Sequence, residues 1–320
     1  MKKTLDIVTS AFNEEDCIPE LYSRLSTVMK EHKDYEWRLL ICDNGSTDSS
    51  WMHVLNLSKV HANVLGIRMS RTFTFDQALT CGLDQAKADA IVIMASDLQD
   101  PPETIHIFLH EYEKGYDQVV AKVISRKTVP LLRRFLSYLF YALANRYTNN
   151  LIPKGVSDFR LLSRKVYTAA RGLREKNRFL RGLIAWTGFN TSIVEIERPP
   201  RYAGESKFLT FKLSKAIQWA SNAILSHTTR PLLSISYFGI FLSLLSLGST
   251  IIFAIFWLVK GVPFAGFGTI VGLIVLSFSF LLLSVGILGQ YISLIYEEVK
   301  DRPIYVISER TDENSMDLSS

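Results

Sequence analysis

Two long stretches near the C-terminus contain no charged residue, residues 231–259 and residues 261–296, and only Lys260 separates them. A helix needs about 20 apolar residues to cross the hydrocarbon core of a bilayer, so each stretch is long enough for one crossing. The sequence therefore predicts two transmembrane helices, at about 232–258 and 267–291, which together form a hairpin.

The residues before this hairpin carry most of the charges and alternate strand-like with helix-like segments. Short apolar runs predict buried strands at 5–9, 38–42, 64–68 and 90–94, and helical patterns predict helices at 13–30 and 75–86. Such alternation predicts an α/β fold with a mostly parallel sheet and helices on both faces. Ligands of these sheets bind beyond the carboxyl ends of the strands, where Asp43 and Asp97 lie.

Two amphipathic segments stand between the sheet and the hairpin, at about 130–149 and 208–230. Packing on the domain core is one interpretation; we favour a position in the membrane interface, because the second segment runs directly into the first span. The sequence thus divides into a sheet domain at 1–207, an interface helix at 208–230, the hairpin at 231–296 and a tail at 297–320. A short strand is predicted in the tail at 304–307.

Charge and cysteine content narrow the class of protein. The net charge is +5, and Gln118–Arg134 is a basic stretch without an acid. Because membrane spans are predicted nearby, this stretch is better suited to bind anionic lipid or phosphate than nucleic acid. The three cysteines, Cys17, Cys42 and Cys81, show neither disulfide nor zinc spacing. No signal-peptide pattern precedes the domain, so we expect the domain and, after two crossings, the tail on the cytoplasmic side.

An acidic side chain follows the fourth predicted strand, in the segment IVIMASDLQDPPE. Protein-bound Mg²⁺ takes one or two carboxylates and completes its ligands with substrate phosphates. Asp97 is therefore a candidate metal ligand, with Gln99 and Asp100 nearby. Capping of the turn is the alternative interpretation of Asp97.

Three further segments occur with this one in a fixed order: TSAFNEE, ICDNGSTDSS and, later, DFRLLSRKV. With these four motifs and the paired apolar stretches, the chain resembles the family 2 glycosyltransferases of the nucleotide-diphospho-sugar-binding GT-A fold. Within that family it resembles the polyprenyl-phosphate glycosyltransferases, including the GtrB-type glucosyltransferases and dolichol-phosphate mannose synthase, over about residues 4–308. The resemblance implies transfer of a sugar from a nucleotide diphosphate to a polyprenyl phosphate, with a divalent metal.

Carried over position by position, the resemblance implies three groups of site residues. The donor-nucleotide group consists of Ser10, Ala11, Phe12, Asn13, Glu14, Asp43, Asn44, Arg71, Ser96, Asp97 and Gln99. The catalytic group consists of Asp97, Asp158 and Arg160, with Asp97 as the ligand of Mg²⁺ or Mn²⁺. The acceptor-phosphate group lies in the loop RYAGESKF and consists of Arg201, Gly204, Ser206 and Lys207.

The chain departs from the family pattern at several of these positions. Ser10 and Phe12 stand where the family has Pro and Tyr, and Asn44 replaces the second acid of the family's DDGSTD turn. Ala95 stands where the family's metal motif has its first acid, which leaves Asp97 as the main protein carboxylate on the metal. We therefore expect weak metal binding in the absence of the donor diphosphate.

The expected nucleophile is a phosphate oxygen, and a phosphomonoester with a second pKa near ~6 is largely ionised at neutral pH. A strong general base is thus less necessary than in transfer to a hydroxyl. Two roles stay open for Asp158: accepting a residual proton, or orienting Arg160 and the donor sugar. Cations such as Arg201 and Lys207 would offset the charge that builds on the departing nucleotide.

The resemblance implies a membrane enzyme of cell-envelope glycosylation that moves a hexose, with glucose from UDP-glucose favoured, to a polyprenyl phosphate such as undecaprenyl phosphate, with inversion. The resemblance implies four partners: the UDP-sugar, the polyprenyl phosphate lipid, the inner or plasma membrane and, in a homotetramer, other copies of the chain. The strand predicted at 304–307 could pair with the sheet edge of a neighbouring copy. A processive polysaccharide synthase is disfavoured, since no QxxRW motif occurs. A catalytically silent sugar-nucleotide-binding or scaffold protein is the alternative that Ala95 motivates.

Overall fold

The computed structural model describes residues 2–124, 155–176, 178–203 and 266–312, with scattered positions between 237 and 259. Both predicted interface helices lie outside the described residues, as do Gly204, Ser206, Lys207 and most of the first predicted span. The chain divides into two compact units. One comprises Met1–Ile217 with Arg302–Ser320, and the other comprises Gln218–Asp301.

The first unit is built on an eight-stranded sheet with the spatial order β7-β5-β6-β4-β1-β2-β3-β8. The strands are β1 (Lys3–Ala11), β2 (Tyr35–Asp43), β3 (Val64–Met69), β4 (Ala90–Ala95), β5 (Gln118–Val123), β6 (Val156–Ser163), β7 (Thr191–Ile196) and β8 (Ile307–Arg310). The four central strands β1–β4 run parallel to one another. β6 is antiparallel to β4 and β5, and β8 is antiparallel to β3.

Helices follow the strands in alternation. They are α1 (Cys17–Glu31), α2 (Ser50–Val60), α3 (Phe75–Gln85), α4 (Ile105–Glu113), α5 (Arg164–Gly172), α6 (Leu180–Trp186) and, in the second unit, α7 (Phe267–Val299). α3 begins with a capping box, because Gln77 N–H donates to Thr74 Oγ1 at 3.3 Å and Thr74 N–H donates to Gln77 Oε1 at 3.0 Å. Two backbone donors of the first turn are thereby satisfied.

The core lies on both faces of the sheet. Leu5 and Ile7 of β1 pack in one cluster with Leu21 of α1, whereas Val8 packs on the opposite face with Leu79 of α3. Successive side chains of a strand point to opposite faces, so this division follows from the apolar run of β1. The predicted α/β class, with a parallel centre covered by helices on both sides, is confirmed.

The four strands predicted from the sequence are present, each extended by one to four residues beyond the prediction. β5, β6 and β7 were not predicted from the sequence. The motif DFR lies inside β6, where Arg160 pairs across the ladder with Ile93 of β4. The helix predicted from residue 13 begins at Cys17 instead, because Asn13 adopts a left-handed conformation with φ 51° and the chain makes a loop there.

α7 extends to Val299, eight residues beyond the end predicted for the second span. At about 1.5 Å per residue its 33 residues measure about 50 Å, more than the ~30 Å of a hydrocarbon core. Within the described residues, one helix is long and apolar enough to cross a membrane, and its qualifying segment is Phe280–Val299. The hairpin is therefore not established, and the first span stays a prediction.

The tail forms a strand three residues later than expected, and β8 pairs with β3 of the same chain, with Arg68 opposite Glu309. Pairing of this strand with a neighbouring copy was the sequence-based expectation. In the single chain the strand instead completes the edge of its own sheet. The homotetramer stays a prediction.

Gly82 of α3 and Gly172 of α5 give a matched test of helix packing. A Cβ at Gly82 would lie 2.3 Å from Val8 Cγ1, whereas one at Gly172 would meet nothing within 4 Å. We expect Gly82→Ala to destabilise the domain by about 1–3 kcal/mol through overpacking. Gly172→Ala should be neutral or stabilising by up to about 1 kcal/mol, since alanine favours helix. Denaturant unfolding in detergent measures both, and equal stabilities would contradict the packing described here.

Candidate active site

The carboxyl ends of three parallel strands meet at one edge of the sheet. Ala11 at the end of β1 pairs with Asp43 at the end of β2, and Ser10 pairs with Ala95 at the end of β4. Asn44 N–H donates to Ala11 O at 2.8 Å. The loops that follow these strands therefore start side by side, and together with the strand ends they carry the residues of the donor group except Arg71, which follows β3.

The loop after β1 is tied to the loop after β2. Asn13 N–H donates to Ser46 Oγ at 3.0 Å, and Asn13 Oδ1 accepts from Thr47 N–H at 2.9 Å. Glu14 N–H donates to Ser50 Oγ at 2.7 Å. Asn13 thus supports the loop geometry, and asparagine tolerates the left-handed backbone that this geometry needs. The half-buried Phe12 lies on the same loop.

Asp43 is fully buried, yet one of its carboxylate oxygens has no hydrogen-bond partner among the described residues. Its Oδ2 accepts from Ser46 N–H at 3.3 Å and lies 3.6 Å from Arg68 Nε. Its Oδ1 has no hydrogen-bond partner in the described part of the chain. Burial raises the pKa of Asp43, although Ser46 and Arg68 act against that rise. A buried acceptor without a partner costs about 1–3 kcal/mol, so this oxygen is well suited to accept from a ligand N–H.

Asn44 holds the loop that carries Arg71. Asn44 Nδ2 donates to Phe73 O at 2.9 Å, and Phe73 N–H donates to Asn44 Oδ1 at 2.8 Å. Gly45, with φ 72°, approaches this loop so closely that a Cβ would lie 2.8 Å from the carbonyl carbon of Arg71. Arg71 is exposed, with its guanidinium 4.0 Å from the ring centre of Phe73. Both amide functions of Asn44 are used within the protein, while Arg71 lies at the rim of the site.

The turn after β4 is strained and anchored. Ser96 Oγ donates to Ser10 O at 2.9 Å, which joins the ends of β4 and β1. Leu98 is buried with φ 61°, a conformation that large side chains adopt only where the surrounding structure enforces it. Asp97 Oδ1 accepts from Gln99 N–H at 3.1 Å. The carboxylate of Asp97 is therefore held in one orientation at the edge of the sheet.

Arg201 connects Asp97 with Glu14. Its Nη2 donates to both carboxylate oxygens of Glu14, and its Nη1 lies 4.0 Å from Asp97 Oδ2. Arg201 Nε donates to Ala203 O at 2.7 Å, and Tyr202 N–H donates to Asp97 O at 3.4 Å. The start of the predicted acceptor loop thus lies directly on the predicted metal ligand. The side chains of Asp97 and Arg201 are 18% and 15% exposed, so both can reach a ligand.

The residues present fit a metal that shares its ligands with a substrate. No group of three His, Cys, Asp or Glu side chains suited to a metal occurs among the described residues. Asp100 is already engaged, because its Oδ2 accepts from Ala95 N–H at 3.0 Å and its Oδ1 accepts from Arg198 at 2.8 Å. Asp97 is left as the accessible carboxylate, which suits Mg²⁺ or Mn²⁺ bound mainly through diphosphate oxygens and water.

Asp158 lies beside the carboxyl end of β4 and is held by Arg181. Arg181 Nε and Nη2 donate to its two carboxylate oxygens at 2.9 and 2.6 Å, and Arg181 Nη1 donates to Val156 O at 3.0 Å. Arg160 is buried, with Nη2 donating to Ser157 O at 2.8 Å and lying 3.8 Å from Asp158 Oδ1. Sequence reasoning missed Arg181, although a basic side chain within the short apolar helix α6 is a signal that could have identified it.

These arginines set the ionisation of the acids around them. Burial alone would raise the pKa of Asp158, but Arg181 and Arg160 lower it below its usual range. Burial and the charge of Asp158 raise the pKa of nearby Asp76 to about 7. Asp158 is therefore a fixed carboxylate at neutral pH, which favours the orienting role over that of a proton acceptor.

A family model described as glycosyl transferase family 2 matches residues 6–169 of the chain. The chain belongs to glycosyl transferase family 2. A bactoprenol glucosyl transferase derived from prophage SfII in Shigella flexneri is 35% identical over 303 residues, covering 95% of this chain and 97% of that protein.

Two further similarities accompany this one. A glycosyltransferase of Synechocystis sp. is 33% identical over 305 residues, which cover 95% of each chain. Among solved structures, the glucosyl-3-phosphoglycerate synthase of Mycobacterium tuberculosis, in complex with Mn²⁺, UDP-glucose and phosphoglyceric acid, is 18% identical with a TM-score of 0.47. That match covers 69% of this chain and 77% of the other.

The family 2 match ends before three arginines that shape the site. Arg181, Arg198 and Arg201 lie after residue 169, yet they pair with Asp158, Asp100 and Glu14. The acids of the glycosyltransferase motifs and their counter-ions therefore come from different parts of the chain. Motif reading alone finds the acids and leaves most of the cations unassigned.

Arg181→Gln tests the ionisation of Asp158. Loss of Arg181 should raise the depressed pKa of Asp158, so that the acidic decline in sugar transfer begins at a higher pH than in the native enzyme. At high pH, where Asp158 is ionised in both proteins, any remaining difference in rate should no longer depend on pH, and Arg181→Lys should restore part of the shift. Arg174→Gln, which removes an exposed cation paired with Asp84, is the matched control. An unmoved acidic limb would contradict the assignment.

Proposed function

We propose that this chain is a membrane-anchored glucosyltransferase that moves glucose from UDP-glucose to a polyprenyl phosphate such as undecaprenyl phosphate, with inversion and with Mg²⁺ or Mn²⁺. The observation that carries the proposal is the meeting of Asp43, Asp97 and the Glu14–Arg201 pair at one edge of the sheet. The 35% identity to a bactoprenol glucosyl transferase over almost the whole chain supports the choice of sugar and lipid.

The buried carboxylate of Asp43 supports uridine as the base of the donor. Its Oδ1, which has no partner among the described residues, is a hydrogen-bond acceptor at the end of β2. Uracil presents a ring N–H to such an acceptor, whereas cytosine presents a ring nitrogen that is itself an acceptor. Such an acceptor favours bases that present a ring N–H to it over bases that present a ring acceptor at the same place.

Asp97 and Arg201 support binding of the diphosphate. Asp97 would hold a divalent ion together with the phosphates, and that ion would neutralise charge on the departing UDP. Arg201 can keep its hydrogen bonds to Glu14 while its Nη1, 4.0 Å from Asp97, turns to a phosphate oxygen. The planar guanidinium suits this exchange, because it donates along several edges at once.

The acceptor phosphate needs little proton transfer. With its second pKa near ~6, a phosphomonoester is already largely ionised at neutral pH. Burial raises the pKa of Asp158, but Arg181 and Arg160 lower it further than burial raises it, so Asp158 stays ionised. In this role the carboxylate orients the two arginines beside the donor sugar. Lys207 and the rest of the RYAGESKF loop are proposed to hold the acceptor phosphate close to the interface.

The long apolar helix α7 supports an anchor in the inner or plasma membrane. The second span, the two interface helices, the cytoplasmic side of the domain and the homotetramer are proposed on sequence and resemblance. A lipid substrate is reached most directly by an enzyme that is held at the bilayer surface.

A second candidate is a silent sugar-nucleotide-binding protein, favoured by the lack of an oxygen ligand at Ala95. Purified full-length protein with UDP-glucose, undecaprenyl phosphate and Mg²⁺ distinguishes the two, because an enzyme releases UDP and forms lipid-linked glucose. A panel of nucleotide sugars identifies the donor. Binding of UDP without turnover of any sugar would favour the silent protein.

Asp97→Asn tests the metal assignment. The substitution removes the accessible carboxylate but keeps the shape of the side chain, so we expect sugar transfer to fall about 100-fold or more. Thermal unfolding should change little, because the side chain is partly exposed. Asp16→Asn, at an exposed position on the neighbouring loop, is the control. Activity of Asp97→Asn within about threefold of the native value would show that the metal lies elsewhere.

A further inference from the structure

The C-terminal tail brings a carboxylate to a residue next to the donor site. Glu309 of β8 lies opposite Arg68 of β3, and Arg68 Nη1 donates to Glu309 Oε1 at 3.0 Å. Trp51 Nε1 donates to Glu309 Oε2 at 3.1 Å. Both oxygens of this tail carboxylate are therefore held by side chains of the sheet domain.

Arg68 in turn faces the buried acid of the donor site. Its Nε lies 3.6 Å from Oδ2 of Asp43, and its guanidinium lies 5.7 Å from the ring centre of Trp51. The side chains of Glu309, Arg68 and Asp43 are 43%, 33% and 0% exposed. The three charges thus form a row that leads from the surface to the interior, with the cation in the middle.

The position of Arg68 matters because Asp43 has no other charged partner within ion-pair distance among the described residues. A buried carboxylate is protonated more readily when its counter-ion is distant. An arginine side chain has many rotamers and loses much conformational freedom when it is fixed. Contacts of Glu309 and Trp51 with the guanidinium select the rotamer that directs Nε to Asp43.

We propose that Glu309 is a positioning residue of the donor site, which acts through Arg68 on the buried Asp43. This inference rests on the proposed role of Asp43 in binding the uracil base. It makes the tail that follows α7 in sequence a part of nucleotide recognition, although the tail carries none of the catalytic motifs.

Hydrogen bonds that do not involve Glu309 also hold the tail on the sheet domain, so the folding of the tail does not depend on the positioning role of Glu309. Gly66 N–H donates to Thr311 Oγ1 at 3.0 Å, and Thr311 N–H donates to Gly66 O at 3.1 Å. Ser70 N–H donates to Val306 O at 2.9 Å, and Tyr305 Oη donates to Asp84 Oδ2 at 2.8 Å. A neutral side chain at 309 should therefore leave β8 in place.

The experiment measures UDP affinity of the full-length protein in detergent by calorimetry across pH. We expect Arg68→Gln to weaken UDP binding about tenfold and Glu309→Gln about threefold to fivefold. Asp312→Asn is the matched control, since it removes the same charge from the same tail at a side chain that pairs with Arg310. It should stay within about twofold of the native affinity.

Two further measurements distinguish a positioning role of Glu309 from a general effect of the substitution on protein stability. In a double-mutant cycle, Glu309→Gln should have no further effect once Arg68→Gln is present, because its action passes through Arg68. On acidification, UDP binding should decline at a higher pH in both single variants than in the native protein. The reason is that Asp43 with a displaced counter-ion is protonated at a higher pH.

The outcomes distinguish this inference from the proposed function. A native protein that does not bind UDP overturns the donor site and the inference with it. Native UDP binding with Glu309→Gln equal to Asp312→Asn overturns the inference alone. Additive effects of the Glu309 and Arg68 substitutions would also overturn the inference. So would a decline in UDP binding that moves to lower pH in Glu309→Gln, because Glu309 would then act only as a second negative charge near Asp43.

Discussion

The site depends on the pairing of acids at the strand ends with arginines from elsewhere in the chain. Among the described residues, Asp43 faces Arg68, Glu14 binds Arg201, Asp100 binds Arg198 and Asp158 binds Arg181. Carboxylates removed from water need hydrogen-bonded counter-ions, because an uncompensated buried charge is strongly destabilising. The pairs also leave arginine donors at the edge of the sheet where we propose that the donor diphosphate binds.

Sequence reasoning succeeded where a local pattern determines the structure. The apolar runs of β1–β4 predicted four parallel strands, and their carboxyl ends predicted where Asp43 and Asp97 lie. It failed for β5–β7, which pair with strands distant in sequence, and at Asn13, whose left-handed backbone delays α1. Among the partners of the acids, Arg201 was predicted as a phosphate-binding residue but not as the partner of Glu14, and Arg68, Arg181 and Arg198 were missed. Arg201 and Glu14 are 187 residues apart, and no local spacing encodes such a contact.

The loss of an acid at Ala95 has a physical counterpart in the structure. Asp100 does not replace it, because Ala95 N–H and Arg198 occupy the Asp100 carboxylate. Asp97 instead lies near a cation, Arg201, which shares its charge with Glu14. A divalent ion bound at Asp97, as proposed, would therefore compete with Arg201 unless the diphosphate brought additional negative charge. We therefore expect metal and donor to bind together.

The acids of this site act as anchors for cations more readily than as bases. Asp158 has a depressed pKa because two arginines outweigh the effect of burial, and a carboxylate so stabilised accepts a proton poorly. An enzyme that transfers sugar to a hydroxyl would be hindered by such an arrangement, since that nucleophile must lose a proton. A phosphate nucleophile is already ionised and needs oriented positive charge instead. The electrostatics of the site and the proposed lipid phosphate acceptor are therefore consistent with each other.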